Sequence, residues 1–303
     1  MKKIILALLI IATISMPSTK ASEIDSFSAR HLLSKDASPI LNTFTNGLID
    51  RAIKESNQTN DYCSQKYLYK KMKKYLSGNV FHGPVEKYIN YNPDGDIPVI
   101  RRPKSQSIYR AVGFFEAPVL NLFKTSLGGI VLIRTNDENV VVGADKFGHF
   151  FTEGLVYYNK AFKKKKGIPY VLDWGIKTEK GKFGYITTGV FSHGDLVANY
   201  LGMTFWANLV KVQIGKGTPF IKCDNGKWKK NKNFDWREYI DSAWDEGINC
   251  SHYKRSIQEK VQAQIATLER TQNTLLACPI DSLKLLSLQQ KYQKMAEKIL
   301  YHQ

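Results

Sequence analysis

The stretch that decides the fold spans residues 130–162 and reads IVLIRTNDENVVVGADKFGHFFTEGLVYYNKAF. A run of β-branched and aliphatic residues, a polar turn at 136–139 and three valines at 140–142 follow one another. Two such runs joined by a short polar turn predict a β-hairpin. From residue 145 to 162 the pattern is helical, and the Asp145 carboxylate is suited to accept bonds from free N–H groups in the first turn.

A second apolar helix is predicted over residues 195–210. Its uncharged part, 196–210, is shorter than the roughly 20 residues that cross a bilayer, and it is apolar on almost all sides, as buried helices are. Helical periodicity also occurs before residue 82 and in the final third of the chain. The sequence therefore predicts a mainly α, single helical domain with a small β-hairpin element, built around central apolar helices 145–162 and 195–210.

Three local predictions complete this outline. Residues 82–104 are rich in glycine and proline and predict a loop, as does the segment after Gly167 that passes through Trp174. A helix is expected over residues 236–246. The exported domain, 22–303, divides into three parts: peripheral helices and loop at 22–104, a central core with the candidate site at 105–215, and a C-terminal helical part at 216–303.

The first 21 residues have the features of a secretory signal peptide. Lys2 and Lys3 precede an apolar run at residues 4–14, Pro17 follows it, and Ala21 provides a small residue for cleavage. The apolar run covers only about half of a bilayer core, so an uncleaved anchor is the less favoured alternative. We therefore expect a periplasmic or secreted protein, cleaved near Ala21, without a transmembrane span after cleavage.

The chain is strongly basic, with 44 Lys and Arg against 27 Asp and Glu and a net charge of +17. This excess persists when the three lysines of the signal peptide are removed. Outside a bacterial cell the abundant anions are cell-wall carboxylates, polymer phosphates and lipid head groups, so an anionic envelope component is the expected partner. No zinc-finger spacing or RNA-binding signature occurs, and nucleic acid is not expected. The sequence does not determine the oligomeric state.

Four cysteines lie after the signal peptide, and an even number in an oxidising compartment predicts two disulfides with three connectivities. A local Cys223–Cys250 bond is preferred, which leaves Cys63 to pair with Cys278. A catalytic thiol is the competing interpretation, but no histidine is placed in sequence to activate any of the four.

The candidate site begins with Asp145, His149 and Glu153, which follow one another at intervals of four residues. This spacing places all three on one stripe of a helix. Neighbouring phenylalanines would lower the local dielectric, which raises the pKa of a carboxyl group towards that of a general acid. A carboxylate beside a histidine fixes its tautomer and raises its basicity. These residue types therefore indicate acid–base chemistry.

A second polar set, Ser192, His193, Asp195 and Asn199, lies at the start of the other apolar helix. Either Ser192 or Asp195 could cap this helix, and Asn199 could simply satisfy a backbone group. However, buried polar groups must find partners. Because both sets lie on helices suited to burial, we expect the two sets to face each other.

The two sets also carry a family resemblance. Asp145-Lys146-x-x-His149, followed by Asp195-x-x-Ala198-Asn199-x-x-Gly202, resembles the paired motifs of VanZ-like proteins, bacterial envelope proteins linked with glycopeptide resistance. The resemblance covers residues 145–206. VanZ-like proteins are integral membrane proteins, whereas this chain has a predicted cleavable signal and no convincing span. The resemblance implies that the Asp/His and Asp/Asn pairs form one site in the cell envelope.

Three functional hypotheses follow. In the first, the protein hydrolyses an anionic envelope polymer such as the glycan of peptidoglycan, with Glu153 as general acid. Asp195 or Asp145 would be the second carboxylate, and His149 or His193 the positioning group. The binding residues would be Asn199, Ser192 and Lys146.

In the second hypothesis, His149, Glu153 and His193 bind a divalent metal, with zinc as the expected ion. No other cofactor is predicted, since the chain has no P-loop and no dinucleotide fingerprint. In the third, the protein is a non-catalytic structural or interaction component of the envelope. The cluster of Asp145, His149, Asp195 and Asn199 would then be a buried hydrogen-bond network. A cleft that opens onto Glu153 would favour an enzyme, and a network closed to solvent would favour the third hypothesis.

Overall fold

The predicted hairpin is present at the centre of a three-stranded antiparallel sheet. The structure, a computed structural model, describes residues 23–58, 62–78, 83–91, 95–122, 127–181 and 184–302. The strands are β1 (Val99–Ile100), β2 (Ile130–Arg134) and β3 (Asn139–Gly143), in the order β1-β2-β3, with Ile130 opposite Gly143. The predicted signal peptide lies outside the described residues.

Helices make up most of the remaining described structure, which confirms the mainly α fold. They are α1 (Ser38–Ser56), α2 (Gln65–Met72), α3 (Pro84–Tyr91), α4 (Pro118–Leu122), α5 (Ala144–Gly148), α6 (Gly154–Tyr158), α7 (Ile168–Glu179), α8 (His193–Ala207), α9 (Arg255–Gln272), α10 (Ser282–Tyr292) and α11 (Ala296–Ile299). Two strand pairs lie apart from the three-stranded sheet: β4 (Val190–Phe191) with β7 (His252–Tyr253), and β5 (Ile221–Asp224) with β6 (Lys227–Lys230).

The predicted helix 145–162 is continuous but contains two wider π-helical turns. Helix α5 passes into a π turn at His149–Glu153, α6 follows, and a second π turn at Asn159–Lys163 ends the helix. Gly167, with φ of +82°, lies just beyond the end and adopts a backbone conformation that favours glycine. π turns often occur at functional sites, and the first of these two carries two of the candidate residues.

Helix α8 crosses this helix with backbone-to-backbone contact. A Cβ atom built on Gly202 would lie 1.8 Å from the Phe150 carbonyl oxygen, and one built on Gly154 would lie 2.6 Å from the Gly202 carbonyl carbon. Ser192 is the N-cap of α8, since its hydroxyl accepts a bond from the Asp195 N–H at 3.1 Å. The glycines therefore set how closely the two polar sets approach.

The main hydrophobic core surrounds this crossing and draws on residues from 37 to 300. Large aromatic side chains fill its centre and are fully buried: Phe147, Phe150, Phe151, Trp236 and Trp244. Within the described ranges, no helix combines the length and the apolar character that crossing a bilayer requires.

Three local predictions are wrong. The predicted loop 82–104 contains α3, and the predicted loop after Gly167 contains α7; both helices have a proline in the first turn, where proline favours helix initiation. The predicted helix 236–246 is instead two short 3-10 turns. Asp235 and Asp241 are each the N-cap of one of these turns and accept a bond from a backbone N–H of that turn. Each aspartate therefore begins a new turn, and the two turns do not join into one helix.

Two disulfides are present, as expected, but the preferred pairing is wrong. Cys63 pairs with Cys223 and Cys250 with Cys278, each with a Cα–Cα distance of 5.8 Å. The β5–β6 hairpin docks beside the end of α1 through bonds between the Asn57 side chain and the Trp228 backbone, and this brings Cys223 to Cys63. Likewise, the Ile280 N–H donates to the Gly247 carbonyl, which brings Cys278 to Cys250.

Candidate functional site

The two polar sets meet, and a fully buried lysine lies at their junction. The Lys146 ammonium nitrogen is 2.8 Å from Glu246 Oε1, 3.1 Å from Asp195 Oδ1 and 3.4 Å from Asp145 Oδ2, and its side chain is 0% exposed. A Cβ atom built on Gly194 would lie 2.6 Å from Lys146 Cε, so this glycine leaves the room that the lysine occupies. We call Asp145, Lys146, Ser192, Asp195 and Glu246 the Lys146 network.

Opposite charges hold this network in its ionised form. Burial lowers the pKa of Lys146, but the carboxylates of Asp145, Asp195 and Glu246 outweigh it and raise that pKa well above its usual value. Burial would raise the pKa of Asp195, yet His149 and Lys146 outweigh it and lower that pKa. Asp145 differs, since burial raises its pKa to about 6 despite Lys146. At neutral pH an ammonium ion and a carboxylate therefore face each other without solvent.

Ser192 connects the network to the backbone. Its hydroxyl donates to Glu246 Oε1 at 2.6 Å while it accepts the Asp195 N–H at the start of α8. Ser192 and Glu246 are both buried. One hydroxyl thus satisfies a helix terminus and orients the carboxylate that contacts Lys146.

His149 joins the network to the solvent-facing part of the site. Its Nδ1 lies 3.0 Å from Asn199 Oδ1 and its Nε2 lies 3.4 Å from Asp195 Oδ2, while the side chain is 24% exposed. Burial lowers the pKa of His149, but the carboxylates, led by Asp195 and Glu179, outweigh it and raise that pKa to about 9. The ring is therefore an imidazolium at neutral pH, with a proton on each nitrogen. The Asn199 amide in turn donates to the Tyr157 hydroxyl at 3.4 Å.

A narrow recess opens on the other side of His149. We call it the Glu153 recess, and its lining residues are His149, Glu153, Tyr157, Trp174, Gly175, Thr178, Glu179 and Asn199. Its volume is about 30 Å³. One or two water molecules fit in such a space, whereas ligand pockets usually have volumes of roughly 300–1,000 Å³. The recess can therefore admit water and one small group, but not a whole sugar ring.

Two carboxyl groups in the recess have raised pKa values. Burial raises the pKa of Glu153, and the nearby His149 offsets only part of this effect. Burial and the Asp195 carboxylate together raise the pKa of Glu179 to about 8. The recess thus places an imidazolium beside carboxylic acids that hold protons at higher pH than usual, the protonation state that a general acid needs.

Further buried carboxyl groups surround the site. Glu86 packs against Gly148, where a Cβ atom would lie 2.2 Å from its Oε2, and burial, followed by the Asp145 carboxylate, raises the Glu86 pKa well above its usual value. Burial, followed by Glu246, has the same effect on the pKa of Glu23. The centre of the protein therefore contains carboxyl groups that hold their protons to higher pH than usual, in addition to the ion pairs of the Lys146 network.

One predicted site residue lies apart. The His193 ring packs against Phe191, His252 and Tyr301, with centroid distances of 4.9, 5.2 and 6.2 Å. Burial, followed by the positive charge of His252, lowers its pKa to about 3. Since His193 is two residues before Asp195, it is rotated by about 200° around α8. His193 therefore lies outside both the Lys146 network and the group of residues around Glu153, and it does not have the positioning role that was predicted for it.

The predicted metal set is consequently not assembled. Among the described residues, no three His, Cys, Asp or Glu side chains converge as a metal site requires. His149 is engaged by Asn199 and Asp195, whereas His193 contacts a different group of aromatic rings. The remaining predicted residues form two connected parts: the Lys146 network, which contains Asp145, Ser192 and Asp195, and the Glu153 recess, which contains His149 and Asn199.

Four acidic residues in or around the site were not predicted from the sequence: Glu23, Glu86, Glu179 and Glu246. Glu86 and Glu179 lie in segments that were predicted to be loops, and Glu246 lies near the end of a helix that does not form. The proline at the start of α7 was the available signal, because a helix there would have carried Glu179 in its last turn. Glu246 is 100 residues from Lys146, and no local pattern indicates that contact.

The two motifs of the VanZ-like resemblance are in direct contact. Lys146 meets Asp195, His149 meets Asn199, and Gly202 meets the backbone of the first helix. The resemblance itself stays a prediction. Comparison with protein-family models, with curated proteins and with solved structures finds no match to this chain.

Proposed function

We propose that the protein is an exported hydrolase of the bacterial cell envelope, with Glu153 as general acid and an anionic polymer such as the glycan of peptidoglycan as substrate. The observation that carries this proposal is the Glu153 recess. It opens to solvent and combines a carboxyl group of raised pKa with an imidazolium and space for water. These are the elements of acid-catalysed hydrolysis.

The residues divide the reaction between them. Glu153 donates its proton to the leaving oxygen as the bond to that oxygen breaks. Water in the recess supplies a hydroxyl group to the other fragment, and its remaining proton restores Glu153. His149, held by Asn199 and Asp195, stabilises the negative charge that develops on the leaving oxygen. Glu179, rather than Asp145 or Asp195, is the second carboxyl group of the recess, because those two belong to the Lys146 network. With a pKa of about 8 it is mostly protonated at neutral pH, so it orients the water and does not deprotonate it.

The size of the recess limits how a polymer could bind. With about 30 Å³ available, the chain would lie across the mouth and present only the reacting group and water to Glu153. Trp174 forms part of this mouth, and Lys160 lies 4.2 Å above its ring, so an aromatic surface and a cation are both close to the entrance. The net charge of the chain also suits an anionic substrate.

The compartment follows from the same proposal. Two disulfides support an oxidising environment, and the signal-like segment supports export with cleavage near Ala21. We place the protein in the periplasm or outside the cell.

The test compares Glu153→Gln with Glu259→Gln, a control at an exposed position on α9. Release of soluble fragments from purified peptidoglycan should fall at least about 100-fold in the first variant and stay unchanged in the second. The free energy of unfolding should change by less than about 1 kcal/mol in both. Full activity of Glu153→Gln would overturn the assigned role, and unfolding of that variant would make Glu153 structural.

One observation favours a second function. Lys146 and Glu246 are almost inaccessible to solvent and the recess is small, as expected of a non-catalytic envelope protein whose polar centre holds its helices together. A wild-type protein that releases no fragments, and whose Glu153→Gln variant folds normally, would support this function instead.

A further inference from the structure

A second concave surface lies on a different face of the central helix. This groove has a volume of about 520 Å³, and its lining residues are Gln65, Lys66, Tyr69, Lys70, Lys73, Leu155, Tyr158, Asn159 and Lys163. We call it the tyrosine–lysine groove. Leu155 is two residues from both Glu153 and Tyr157, which corresponds to about 200° around a helix. The groove is therefore separate from the Glu153 recess.

The lysines of α2 and the turn after it fall into two groups. Lys71 and Lys74 pair with Glu55, at 2.7 and 3.1 Å. Lys66, Lys70 and Lys73 are exposed and line the groove instead, and within the described part of the chain they form no ion pair. The described lining contains no acidic side chain. The cations in the groove are thus left available for an external anion.

Their spacing suits a chain of charges rather than a single anion. The three lysines occur at positions i, i+4 and i+7, so neighbouring Cβ atoms along the helix are roughly 5–6 Å apart. Lys163 approaches from the other wall of the groove. A linear polymer with regularly repeated acidic groups can contact several of these cations at once, which adds their individually weak attractions.

Two tyrosines form a fixed floor for the groove. The Tyr69 and Tyr158 rings are stacked, with centroids 5.6 Å apart and an interplanar angle of 9°. The Tyr69 hydroxyl donates to the Trp206 carbonyl at 3.0 Å, and the Tyr158 hydroxyl donates to the Tyr69 oxygen at 3.3 Å. Lys163 Nζ lies 5.1 Å from one ring centroid and 5.6 Å from the other. The rings are held in place before any ligand arrives, which lowers the ordering cost of binding.

We propose that the tyrosine–lysine groove binds a strand of linear anionic glycan. The acidic groups of the strand pair with Lys66, Lys70 and Lys73, and a sugar ring lies against Tyr69, which is partly exposed and stacks on the buried Tyr158. A concave groove with an aromatic floor fits a polymer strand better than the flat surface of a membrane. Since the groove and the recess use different faces, this binding is independent of hydrolysis and would hold the protein on its polymer whether or not Glu153 acts.

The experiment measures the affinity of the folded chain for fluorescently labelled alginate, a linear polyuronate, in the Glu153→Gln background. The groove variant is Lys66→Glu/Lys70→Glu/Lys73→Glu. Its matched control is Lys211→Glu/Lys216→Glu/Lys222→Glu, which makes the same charge change at three exposed lysines outside the groove. We expect affinity to fall about tenfold or more in the groove variant and no more than about threefold in the control.

Further arms decide the nature of the ligand. Binding of alginate should weaken with salt, and uncharged dextran should not compete. Equal losses of alginate affinity in the two triple variants would show that only the net charge of the protein matters, and would overturn the proposal. Binding to phosphatidylglycerol vesicles but not to alginate would overturn it in favour of a membrane surface. Should the groove variant fail to fold, Lys66→Gln/Lys70→Gln/Lys73→Gln removes the charges without adding carboxylates, and unchanged alginate affinity in it would also overturn the proposal.

Discussion

The Lys146 network and the Glu153 recess both take residues from the helix at 144–163 and from α8, while Glu246 completes the network and α7 completes the recess. Their environments differ. In the network, Lys146 is 0% exposed and lies within 3.4 Å of three carboxylates. In the recess, Glu153 is only partly buried and the carboxyl groups outnumber the cations beside them. His149 belongs to both, since it contacts Asp195 on one side and lines the recess on the other.

This difference separates stability from chemistry. A buried charge that is paired with opposite charges stays ionised, and removal of one partner strongly lowers the free energy of unfolding. A carboxyl group without a matched cation holds its proton to a higher pH and can exchange that proton with whatever reaches it. We therefore expect changes in the network to affect the free energy of unfolding, and changes in the recess to affect activity.

The largest effect should come from Lys146→Met. Methionine has a similar length but leaves Asp195 and Glu246 buried without their cation. Breaking a buried ion pair by removing one partner costs about 3–5 kcal/mol, so the free energy of unfolding in urea should fall by that amount. Lys177→Met, at an exposed position on α7, is the matched control and should change stability by less than about 0.5 kcal/mol. A Lys146→Met protein as stable as wild type would show that protonation alone neutralises the carboxylates.

The contact on which this prediction rests was partly predictable from sequence. The i, i+4 spacing on two apolar helices predicted that the polar sets would meet, and Lys146 with Asp195 and His149 with Asn199 confirm it. The hairpin was predictable because its β-branched runs flank a polar turn. Glu246 was not predictable, because it arrives through two short turns capped by aspartates rather than through a periodic element.

The second effect distinguishes the partly exposed His149 from the buried His193 by the pH dependence of their contributions to stability. The His149 pKa is raised to about 9 by surrounding carboxylates that outweigh burial, and the His193 pKa is lowered to about 3 by burial. The stabilisation from His149 is complete below its unfolded pKa of about 6.5 and is lost as pH rises through 9, on the order of 3 kcal/mol. His193 acts in the opposite direction, since its contribution is present above about pH 6.5 and is lost as pH falls towards 3.

Titration of the ring signals by NMR measures both values, with His149→Asn and His193→Asn for assignment. Five neighbours also titrate or carry charge: Asp195, whose pKa is lowered, Glu153 and Lys146, whose pKa values are raised, Asp145, with a pKa of about 6, and Glu179, with a pKa of about 8. Ionisation of Asp145 and Glu179 also lowers the free energy of unfolding as pH rises, and Glu179 still titrates near pH 8. The ring signal, which reports His149 directly, therefore separates its titration from theirs. A His149 signal that titrates near pH 6.5 would contradict the imidazolium assigned to the recess.

The disulfides show another limit of sequence reasoning. Pairing by proximity along the chain favoured Cys223 with Cys250, whereas Cys223 pairs with Cys63 at a separation of 160 residues. Hydrogen bonds between the Asn57 side chain and the Trp228 backbone dock the β5–β6 hairpin there, and no local periodicity encodes that docking. Glu179 and Glu86 could not be predicted as site residues for the same reason, because their roles depend on which helix packs beside them.

The smallest effect should come from Ser192→Ala. The substitution removes the N-cap of α8 and the bond to Glu246, which should lower the free energy of unfolding by about 1 kcal/mol. Ser64→Ala is a matched control, because Ser64 is also an N-cap residue but its side chain makes no capping bond. It should change stability by only a few tenths of a kcal/mol. Activity should be almost unchanged in both, since Ser192 belongs to the Lys146 network and does not line the Glu153 recess. If Ser192→Ala instead reduced fragment release as strongly as Glu153→Gln, the network and the recess would be one catalytic unit, and the separation of stability from chemistry would fail.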